Sequence, residues 1–384
     1  MTIANNPILG GFYPDPSICR VGEDFYLVNS SFGYAPGIPI FHSRDLAHWE
    51  QLGNVLERDT QLRLDHQEIS RGIFAPTIRY HDGVFYVITT NVSYGGTFLV
   101  TASDPAGPWS DPYELGEGAA GIDPSLFFDD DGRCYYVGTR PNPDGTRYDG
   151  DWEIWVQELD LDAMRLVGGS MAIWKGAAKH AIWPEGPHLY KKDGYYYLLI
   201  AEGGTELAHS ICMARSRQLF AWFEGCPRNP VFTHRHLGHN YPVICAGHGD
   251  LFDDSDGNWY LVLLASRACD RHCCLRLYAA AGSITETEPC AYLGVRQSSY
   301  DATVRCGITF LPQGAETAGL VLYQNHNNHL RIEIAQKLDL LPYTTEAAGG
   351  FVGCTVGMYA SGNGTESDNY ADVEYFTYKN DSCE

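Results

Sequence analysis

The sequence predicts an all-β protein: a five-bladed β-propeller with an incomplete fifth blade, followed by a small, truncated β-sandwich. Three observations lead to this prediction. A hairpin pattern recurs five times before residue 280, helical periodicity is nearly absent, and the later chain reads as short strands joined by Gly, Asn and Pro turns. We expect the propeller at residues 1–279 and the sandwich at residues 280–384.

The recurring pattern is a turn carrying Asp or Gly, then aromatic residues, then aliphatic ones. Its equivalent tyrosines are Tyr26, Tyr86, Tyr135, Tyr197 and Tyr260, so the repeat step is 49 to 63 residues. Asp-Gly before an alternating apolar run is typical of a β-hairpin. A β-sandwich with coincidental hairpins is the alternative, and five ordered copies disfavour it. Repeated units of this length, built of short strands, predict propeller blades.

Strand-like segments also follow the repeats. They alternate apolar and polar residues between turn-forming residues, as expected of a second all-β domain. The predicted strands are Thr303 to Phe310, Gly319 to Gln324, Leu330 to Ile334, Thr355 to Ala360 and Val373 to Tyr378.

Charge and composition narrow the class of partner. The 384 residues include 26 Lys and Arg against 48 Asp and Glu, a net charge of −22, together with 16 Phe, 8 Trp and 25 Tyr. The negative charge argues against nucleic acid or an anionic membrane surface as a partner. No apolar run reaches the length of about 18 residues that a membrane span needs. A neutral ligand fits, and carboxylates with aromatic rings suit sugar chemistry.

The cysteines and the N-terminal residues predict a cytoplasmic location. Several of the 12 Cys, such as Cys19 and Cys134, lie in strand-like apolar runs where a free thiol acts as a small hydrophobe. The first ten residues have neither the basic nor the apolar region of a secretory signal. Free thiols are typical of a reducing compartment. Residues 269–274 hold Cys and His, but not in the spacing of a paired zinc knuckle.

Three carboxylates occupy the same position in their repeats. Asp15, Asp123 and Glu185 precede their blades' tyrosines by 11 or 12 residues, and each lies next to proline. Proline fixes the backbone and removes a donor, so these carboxylates are expected to be held rigidly. The shared offset predicts that all three lie on innermost strands and face the propeller axis. For one Asp-Pro alone a simple turn would be the better interpretation.

These residues lie in motifs that together resemble glycoside hydrolase family 43, the five-bladed β-xylosidases and α-L-arabinofuranosidases. The resemblance covers residues 6 to about 265 and resumes in the second domain. The matching segments include Tyr13-Pro14-Asp15-Pro16-Ser17, Gly72-Ile73-Phe74-Ala75-Pro76, Gly121-Ile122-Asp123-Pro124-Ser125, Glu185-Gly186-Pro187-His188, Glu202-Gly203-Gly204-Thr205 and Gly247-His248-Gly249-Asp250-Leu251.

The resemblance implies hydrolysis with inversion of the anomeric configuration. In that mechanism an acid protonates the leaving oxygen while a carboxylate about 6.5–9.5 Å away activates water. By the resemblance Asp15 is the general base, Glu185 the general acid, and Asp123 a third carboxylate that orients the acid and raises its pKa.

The resemblance also implies substrate-binding residues, namely Phe32, Phe74, Ala75, Thr205 and His248. The two Phe rings are expected to pack on the apolar faces of the sugar, although a core-packing role stays an alternative. His248 matches a histidine near the propeller axis, where some members carry calcium or water. Calcium prefers oxygen ligands, so we expect no required cofactor and keep a non-catalytic calcium as an open alternative.

The sequence departs from the family in two places. Members usually continue the fifth blade with a Gly-Arg-Glu segment whose Arg binds the sugar, and this chain has no Gly-Arg-Glu. A second stretch, at about residues 341–351, is too short for the sandwich. The chain is therefore expected to have lost two internal segments. The first loss leaves the fifth blade without outer strands and removes the Arg, which weakens sugar binding. The three carboxylates remain.

These observations predict an exo-glycosidase that removes terminal β-1,4-linked xylose from xylo-oligosaccharides. An α-L-arabinofuranosidase, or an enzyme with both activities, is one alternative. A catalytically impaired, sugar-binding remnant is another, because the Arg is missing. The expected partner is a xylo-oligosaccharide or arabinoside, and the sequence leaves a homo-oligomer open.

Overall fold

The computed structural model describes residues 4–64, 70–238, 241–267, 275–281, 283, 291–296, 302–325, 328–335, 355–364 and 367–380. The chain divides into two compact units, Met1–Arg267 and Ala268–Glu384. The predicted all-β class is confirmed, since the only helix in the described residues is a single 3-10 turn at Arg235–Leu237. No helix there is long and apolar enough to cross a membrane.

The first unit contains four antiparallel sheets of at least four strands, and in each the strands pair in chain order from the first strand outward. The first sheet is β1 (Ser17–Val21), β2 (Asp24–Val28), β3 (Gly37–Ser43) and β4 (Glu50–Leu56). The second sheet is β5 (Thr77–His81), β6 (Val84–Asn91), β7 (Gly96–Ala102) and β8 (Tyr113–Glu114).

The third and fourth sheets repeat this arrangement. The third sheet is β9 (Ile122–Phe128), β10 (Cys134–Pro141), β11 (Trp152–Asp160) and β12 (Arg165–Trp174). The fourth sheet is β13 (Glu185–Lys192), β14 (Tyr195–Glu202), β15 (Ser210–Ser216) and β16 (Glu224–Gly225), with β17 (Phe232–Thr233) also paired to β15. A two-stranded sheet follows, β18 (Val243–Asp253) and β19 (Trp259–Arg267).

The predicted hairpins are confirmed. Each of the five aromatic repeats forms the second strand of its sheet, namely β2, β6, β10, β14 and β19. Asp82 and Gly83 have φ of 47° and 83°, and Asp193 and Gly194 have φ of 50° and 74°. Two consecutive positive φ values define the tight turn whose twist matches that of paired strands, which explains why Asp-Gly recurs there.

Apolar side chains join neighbouring sheets in cyclic order. One core cluster lies between the first and second sheets, one between the second and third, and one between the third and fourth. A fourth cluster packs Phe252 and Val262 of the two-stranded sheet onto Phe25 and Leu27 of the first. Each fully buried apolar side chain contributes about 1.5–3 kcal/mol, so these clusters hold the neighbouring sheets together.

Two expectations about this unit stay predictions. The first is the number of blades, and the second is that the fifth blade is incomplete. Among the described residues β19 pairs only with β18. The outer strands are expected to be missing at residues 268–274, which lie outside the described residues, as do the Cys and His considered for a zinc site.

The second unit contains two antiparallel sheets. The first is three-stranded, in the order β20 (Leu275–Tyr278), β26 (Tyr370–Asn380) and β22 (Ala302–Thr309). The other is four-stranded, in the order β21 (Ala291–Arg296), β25 (Thr355–Ser361), β23 (Thr317–Asn325) and β24 (Asn328–Ile334). All five predicted strands are confirmed here. The predicted gap at residues 341–351 lies outside the described residues, and the 279/280 boundary stays a prediction.

Small side chains form the centre of the second unit. Ala279, Ala318, Ala360 and Ala371 are at most 1% exposed and belong to one cluster drawn from both sheets. Two sheets that bury one face each against the other form a sandwich.

Candidate active site

Asp15 lies in the segment just before β1, and residues just after β2 bind this segment by hydrogen bonds. Asp15 is 8% exposed, and its carboxylate accepts a hydrogen bond of 2.5 Å from Ser30 Oγ. The Asn29 side-chain amide donates to the carbonyls of Tyr13 and Pro14, both at 3.0 Å. The backbone that leads into Asp15 is therefore held by hydrogen bonds.

Asp123 lies on a β-bulge of β9. Ser125 pairs with Val137 and Ile122 with Thr139, so two residues of β9 oppose one residue of β10. Asp123 is 6% exposed, and its carboxylate accepts a hydrogen bond of 3.1 Å from the backbone N–H of Gly186.

Glu185 begins β13, and a bulge follows it. Glu185 pairs with Ala201 and His188 with Leu199, which leaves one extra residue on β13 between them. The preceding carbonyl, that of Pro184, accepts a 2.5 Å hydrogen bond from Thr139 Oγ1. The Glu185 side chain is partly exposed, but its Oε1 is buried and has no hydrogen-bond partner in the described part of the chain. A protonated carboxyl group tolerates such a position far better than a carboxylate does.

His248 also lies on an irregular part of its strand. β18 shifts register against β19 on both sides of Gly247. The ring Nδ1 of His248 is 3.5 Å from Asp15 Oδ1. A Cβ placed on Gly186 would come within 2.8 Å of His248 Nε2, so the imidazole lies directly against the peptide that follows Glu185.

Unusual backbone conformation marks the same positions. Asp15, Asp123 and His248 have φ of 51°, 52° and 41°, and Phe32 has φ of 47°. Positive φ costs energy in residues other than glycine and concentrates at functional sites. Bulges likewise re-aim side chains next to active sites. The backbone thus turns these side chains toward a shared centre.

The carboxylates affect one another electrostatically. Burial, with the nearby charges of Asp123 and Asp15, raises the pKa of Glu185 well above its ordinary value. Burial raises the pKa of Asp123 to about 6, where the Asp15 charge adds to the rise and His248 opposes it. Like charges within one low-dielectric site cannot all ionise together, so the cluster retains protons at neutral pH.

The structure thus brings together four predicted residues: Asp15, Asp123, Glu185 and His248. Phe32 and Phe74 also meet, with ring centroids 5.3 Å apart and an interplanar angle of 62°. Their backbones lie at a junction of the first two sheets, since Phe32 exchanges hydrogen bonds of 2.8 and 3.1 Å with Ile73.

The other two predicted residues differ in exposure. Ala75 is 5% exposed, and Thr205 is exposed in the loop after β14. The roles assigned to the rings, to Ala75 and to Thr205 stay predictions.

The residues near His248 do not fit calcium well. Calcium takes six to eight oxygen ligands, whereas this ring offers nitrogen and faces a single carboxylate. Within the described ranges no group of three or more His, Cys, Asp or Glu side chains could hold a metal ion.

The structure also contains a buried polar network that was not predicted from the sequence. It consists of Ser17, Arg79, Ser125, His188, Tyr190 and Asp250, drawn from β1, β5, β9, β13 and β18. One signal was available. In a strand, residues i and i+2 face the same side, so Ser17, Ser125 and Asp250 follow Asp15, Asp123 and His248 at the expected spacing. Nothing in the sequence indicated Arg79.

Family models match both units. The model "Glycosyl hydrolases family 43" matches residues 4–280, and the model "Beta xylosidase C-terminal Concanavalin A-like domain" matches residues 265–340 and 333–379.

Similar proteins span nearly the whole chain. A xylosidase/arabinosidase of Butyrivibrio fibrisolvens is 50% identical, covering 98% of this chain and 99% of that protein. A non-reducing end alpha-L-arabinofuranosidase of Bacteroides ovatus is 30% identical, covering 97% and 94%. The Butyrivibrio alignment runs over 514 residues although this chain has 384, so at least 130 aligned positions have no counterpart here. The predicted internal losses account for such gaps.

A solved structure shares the fold. The crystal structure of xylan beta-1,4-xylosidase from Bacillus halodurans superposes with a TM-score of 0.66 at 28% identity, covering 98% of this chain and all of that one. With these relatives, the family models and the three clustered carboxylates, the chain belongs to glycosyl hydrolase family 43.

Proposed function

We propose that this glycoside hydrolase is an inverting exo-enzyme that removes terminal β-1,4-linked xylose from xylo-oligosaccharides. Asp15 is the general base, Glu185 the general acid and Asp123 the carboxylate that keeps the acid protonated. The observation that carries the proposal is the raised pKa of Glu185, because a general acid must hold its proton at the working pH.

Glu185 protonates the oxygen that leaves with the rest of the oligosaccharide. Burial of Oε1 and the neighbouring charges both favour the neutral carboxyl group. As the proton moves to the leaving oxygen, Glu185 becomes a carboxylate. The backbone N–H of Gly186 already donates to Asp123, so it holds the third carboxylate beside the acid.

Asp15 takes a proton from the attacking water on the opposite face of the sugar. The Ser30 hydroxyl occupies Oδ2, which directs Oδ1 toward the water and His248. No cofactor is needed in this scheme, because two carboxylates supply both proton transfers.

An open cavity next to the segment that leads into Asp123 could take part of the substrate, although none of the three carboxylates lines it. A cavity of about 450 Å³ opens between the second and third sheets, and Gly121 and Ile122, which immediately precede Asp123, help to line it. Its wall also includes Asn91, Tyr94 and Trp152. Cavities of this size, lined by rings and a few polar groups, suit small ligands such as sugars. The Phe32 and Phe74 rings supply apolar surface for the terminal pentose.

An α-L-arabinofuranosidase, or an enzyme with both activities, is the second candidate. The names of the Butyrivibrio and Bacteroides relatives favour it, since both include arabinose-releasing activity.

Proton NMR of xylobiose digestion tests the proposal directly, because inversion of a β-linkage releases α-xylose first. Comparing rates on nitrophenyl β-xyloside and nitrophenyl α-L-arabinofuranoside separates the two pentoses. A folded protein that releases neither would contradict the proposal.

A catalytically impaired sugar-binding protein is the candidate of another class, favoured by the missing Gly-Arg-Glu and the alignment gaps. Xylose binding by calorimetry without turnover would support it.

We also propose the finer assignments. Cyclic packing of the sheets supports a five-bladed propeller with a reduced last blade. The buried free thiols Cys19, Cys134 and Cys212 support a cytoplasmic enzyme.

A further inference from the structure

We propose that Asp250 and Arg79 are positioning residues, which set the distances among the three carboxylates by tying their strands together beneath the site. This inference rests on the proposed function and extends it to residues that touch no substrate.

The buried polar network lies one layer below the site. Each strand that carries a site residue also sends a side chain into the network two residues later, or three where the β13 bulge adds one. The pairs are Asp15 and Ser17, Asp123 and Ser125, Glu185 and His188, and His248 and Asp250. The network residues meet through hydrogen bonds that link β1, β5, β9, β13 and β18.

Asp250 ties β18 to β1. Its Oδ2 accepts from Ser17 Oγ at 2.8 Å and from the backbone N–H of Ile18 at 3.2 Å. Its Oδ1 accepts from the Tyr190 hydroxyl on β13 at 2.6 Å, and that hydroxyl accepts from the N–H of Leu251 at 2.7 Å. The Asp250 side chain is fully buried, so each of these bonds forms away from competing water.

Arg79, on β5, links Asp250 to His188 on β13. Its Nη1 is 2.8 Å from Asp250 Oδ2, and its Nη2 donates to His188 Nδ1 at 2.9 Å. Ser125 Oγ of β9 lies 3.0 Å from the same ring nitrogen. Since Nδ1 accepts from a guanidinium, His188 carries its proton on Nε2 and is neutral. Burial, together with Arg79 and His248, lowers its pKa to about 3, although Asp250 opposes the shift.

The network reaches the reacting groups through β18. His248 and Asp250 are two residues apart on this strand, and His248 contacts both Asp15 and the Gly186 peptide. A shift of β18 therefore moves the His248 imidazole relative to Asp15 and to the Gly186 peptide, whose N–H binds Asp123. Misplacement of reacting groups by about 1 Å can cost about a hundredfold in rate, so small shifts here should appear in kcat.

Two tyrosines provide a matched test. Tyr190 and Tyr196 lie in the fourth sheet, are both partly exposed, and donate to Asp250 and Asp129 respectively, each at 2.6 Å. Only Tyr190 belongs to the network. Tyr190→Phe and Tyr196→Phe each remove a hydroxyl that donates to a carboxylate while keeping the ring, and Tyr190→Phe also removes the acceptor of the Leu251 N–H.

We expect Tyr190→Phe to lower kcat on xylobiose about tenfold with little change in KM, and to move the alkaline limb of the pH profile. Tyr196→Phe should change neither. Ser17→Ala, which removes another bond to Asp250, should behave like Tyr190→Phe and serves if that variant does not fold. Unchanged kcat and pH profile in the folded network variants, or an equal loss in Tyr196→Phe, would overturn the inference.

Carbon NMR titration of the carboxyl groups separates this inference from the proposed function. It follows the pKa of Glu185 without turnover. If the wild-type protein is inactive on both pentosides, the proposed function fails, yet a changed Glu185 pKa in Tyr190→Phe and not in Tyr196→Phe still supports the positioning role. An identical pKa in all three proteins contradicts it.

Discussion

The backbone N–H of Gly186 donates a hydrogen bond to Asp123 Oδ2 at 3.1 Å, which links the residue after the proposed acid to the third carboxylate. The same glycine has φ of 55° and lies against the ring of His248. One position thus connects β13, β9 and β18, and only a residue without a side chain fits it.

Gly186→Ala should abolish most activity. The new Cβ would meet His248 Nε2 at 2.8 Å, so either the ring or the Gly186 peptide must shift, and the positive φ adds strain. We expect kcat to fall about a hundredfold or more. Gly194→Ala is the matched control, because Gly194 has φ of 74° in the same sheet but its nearest neighbour is Arg217 Nη1 at 3.9 Å. Equal losses of activity in both variants would show that backbone strain alone is responsible.

Asp123→Asn should make the protein more stable above pH 6 while removing activity. The folded-state pKa of Asp123 is raised to about 6, so its stabilising contribution is present below the unfolded pKa near 3.8 and is lost as pH rises through about 6. At pH 7.5 the buried, ionised carboxylate therefore destabilises the folded protein, whereas the neutral Asn side chain does not. Asn still accepts the Gly186 bond through its side-chain oxygen.

Thermal melting between pH 4 and pH 8 checks this prediction. The Tm of Asp123→Asn should exceed that of the wild type at pH 7.5 and approach it at pH 4. Asp129→Asn is a control for which the opposite change in stability is expected. Although burial opposes the shift, Lys191 and the Tyr196 hydroxyl lower the pKa of Asp129. This variant should therefore lose stability near neutral pH. A lower Tm for Asp123→Asn at pH 7.5 would contradict the assignment.

Glu185→Gln should affect substrates according to their leaving groups. A natural sugar leaving group needs a proton, whereas nitrophenolate departs with little assistance. We expect kcat on xylobiose to fall by about 10²–10⁴ and the loss on nitrophenyl xyloside to be much smaller. The alkaline limb of the pH profile, which reports loss of the acid's proton, should disappear. Glu202→Gln is a useful control, since Glu202 is buried in the same sheet and binds the Ala177 N–H at 2.7 Å.

Removal of metal ions should leave the chemistry intact. In the proposed mechanism the two proton transfers use Asp15 and Glu185, and the His248 ring offers nitrogen where calcium prefers oxygen ligands. Protein dialysed against EDTA should keep its kcat on xylobiose, and added calcium should not raise it. Loss of kcat on dialysis that calcium restores would show that the ion organises the site.

The sequence allowed the hairpins and the carboxylate cluster to be predicted because both follow from local rules. Asp-Gly requires a particular turn, and the offset of Asp15, Asp123 and Glu185 from their tyrosines gives each the same place in its sheet. The bulges at Asp123 and Glu185 were not predictable, because an extra residue becomes visible only against the register of the neighbouring strand.

Arg79 illustrates a second limit. It lies between apolar residues on β5, where a charged side chain is usually directed to solvent. Its burial depends on Asp250, which is 171 residues away in sequence. Such a pair forms only when two distant sheets meet, and no local pattern in either segment announces it.

Adding the outer strands that we propose the last sheet of the first unit has lost should stabilise that sheet. β18 and β19 pair only with each other in the described chain, whereas every other sheet of that unit has four strands or more. A two-stranded sheet is marginal alone, and an open edge favours association with other chains. Here Phe252 and Val262 hold it onto the first sheet, and Asp250 binds it to β1.

The corresponding segment of the Butyrivibrio relative, inserted between Arg267 and Leu275, should raise the Tm by about 5 °C or more. It should also increase kcat/KM, since it would return the sugar-binding Arg that the family resemblance implies. A Gly-Ser insert of equal length is the control, and melting with light scattering follows stability and association together. If the graft and the linker give the same Tm, the same mass and the same kcat/KM, the two-stranded sheet is sufficient as it stands and the prediction is wrong.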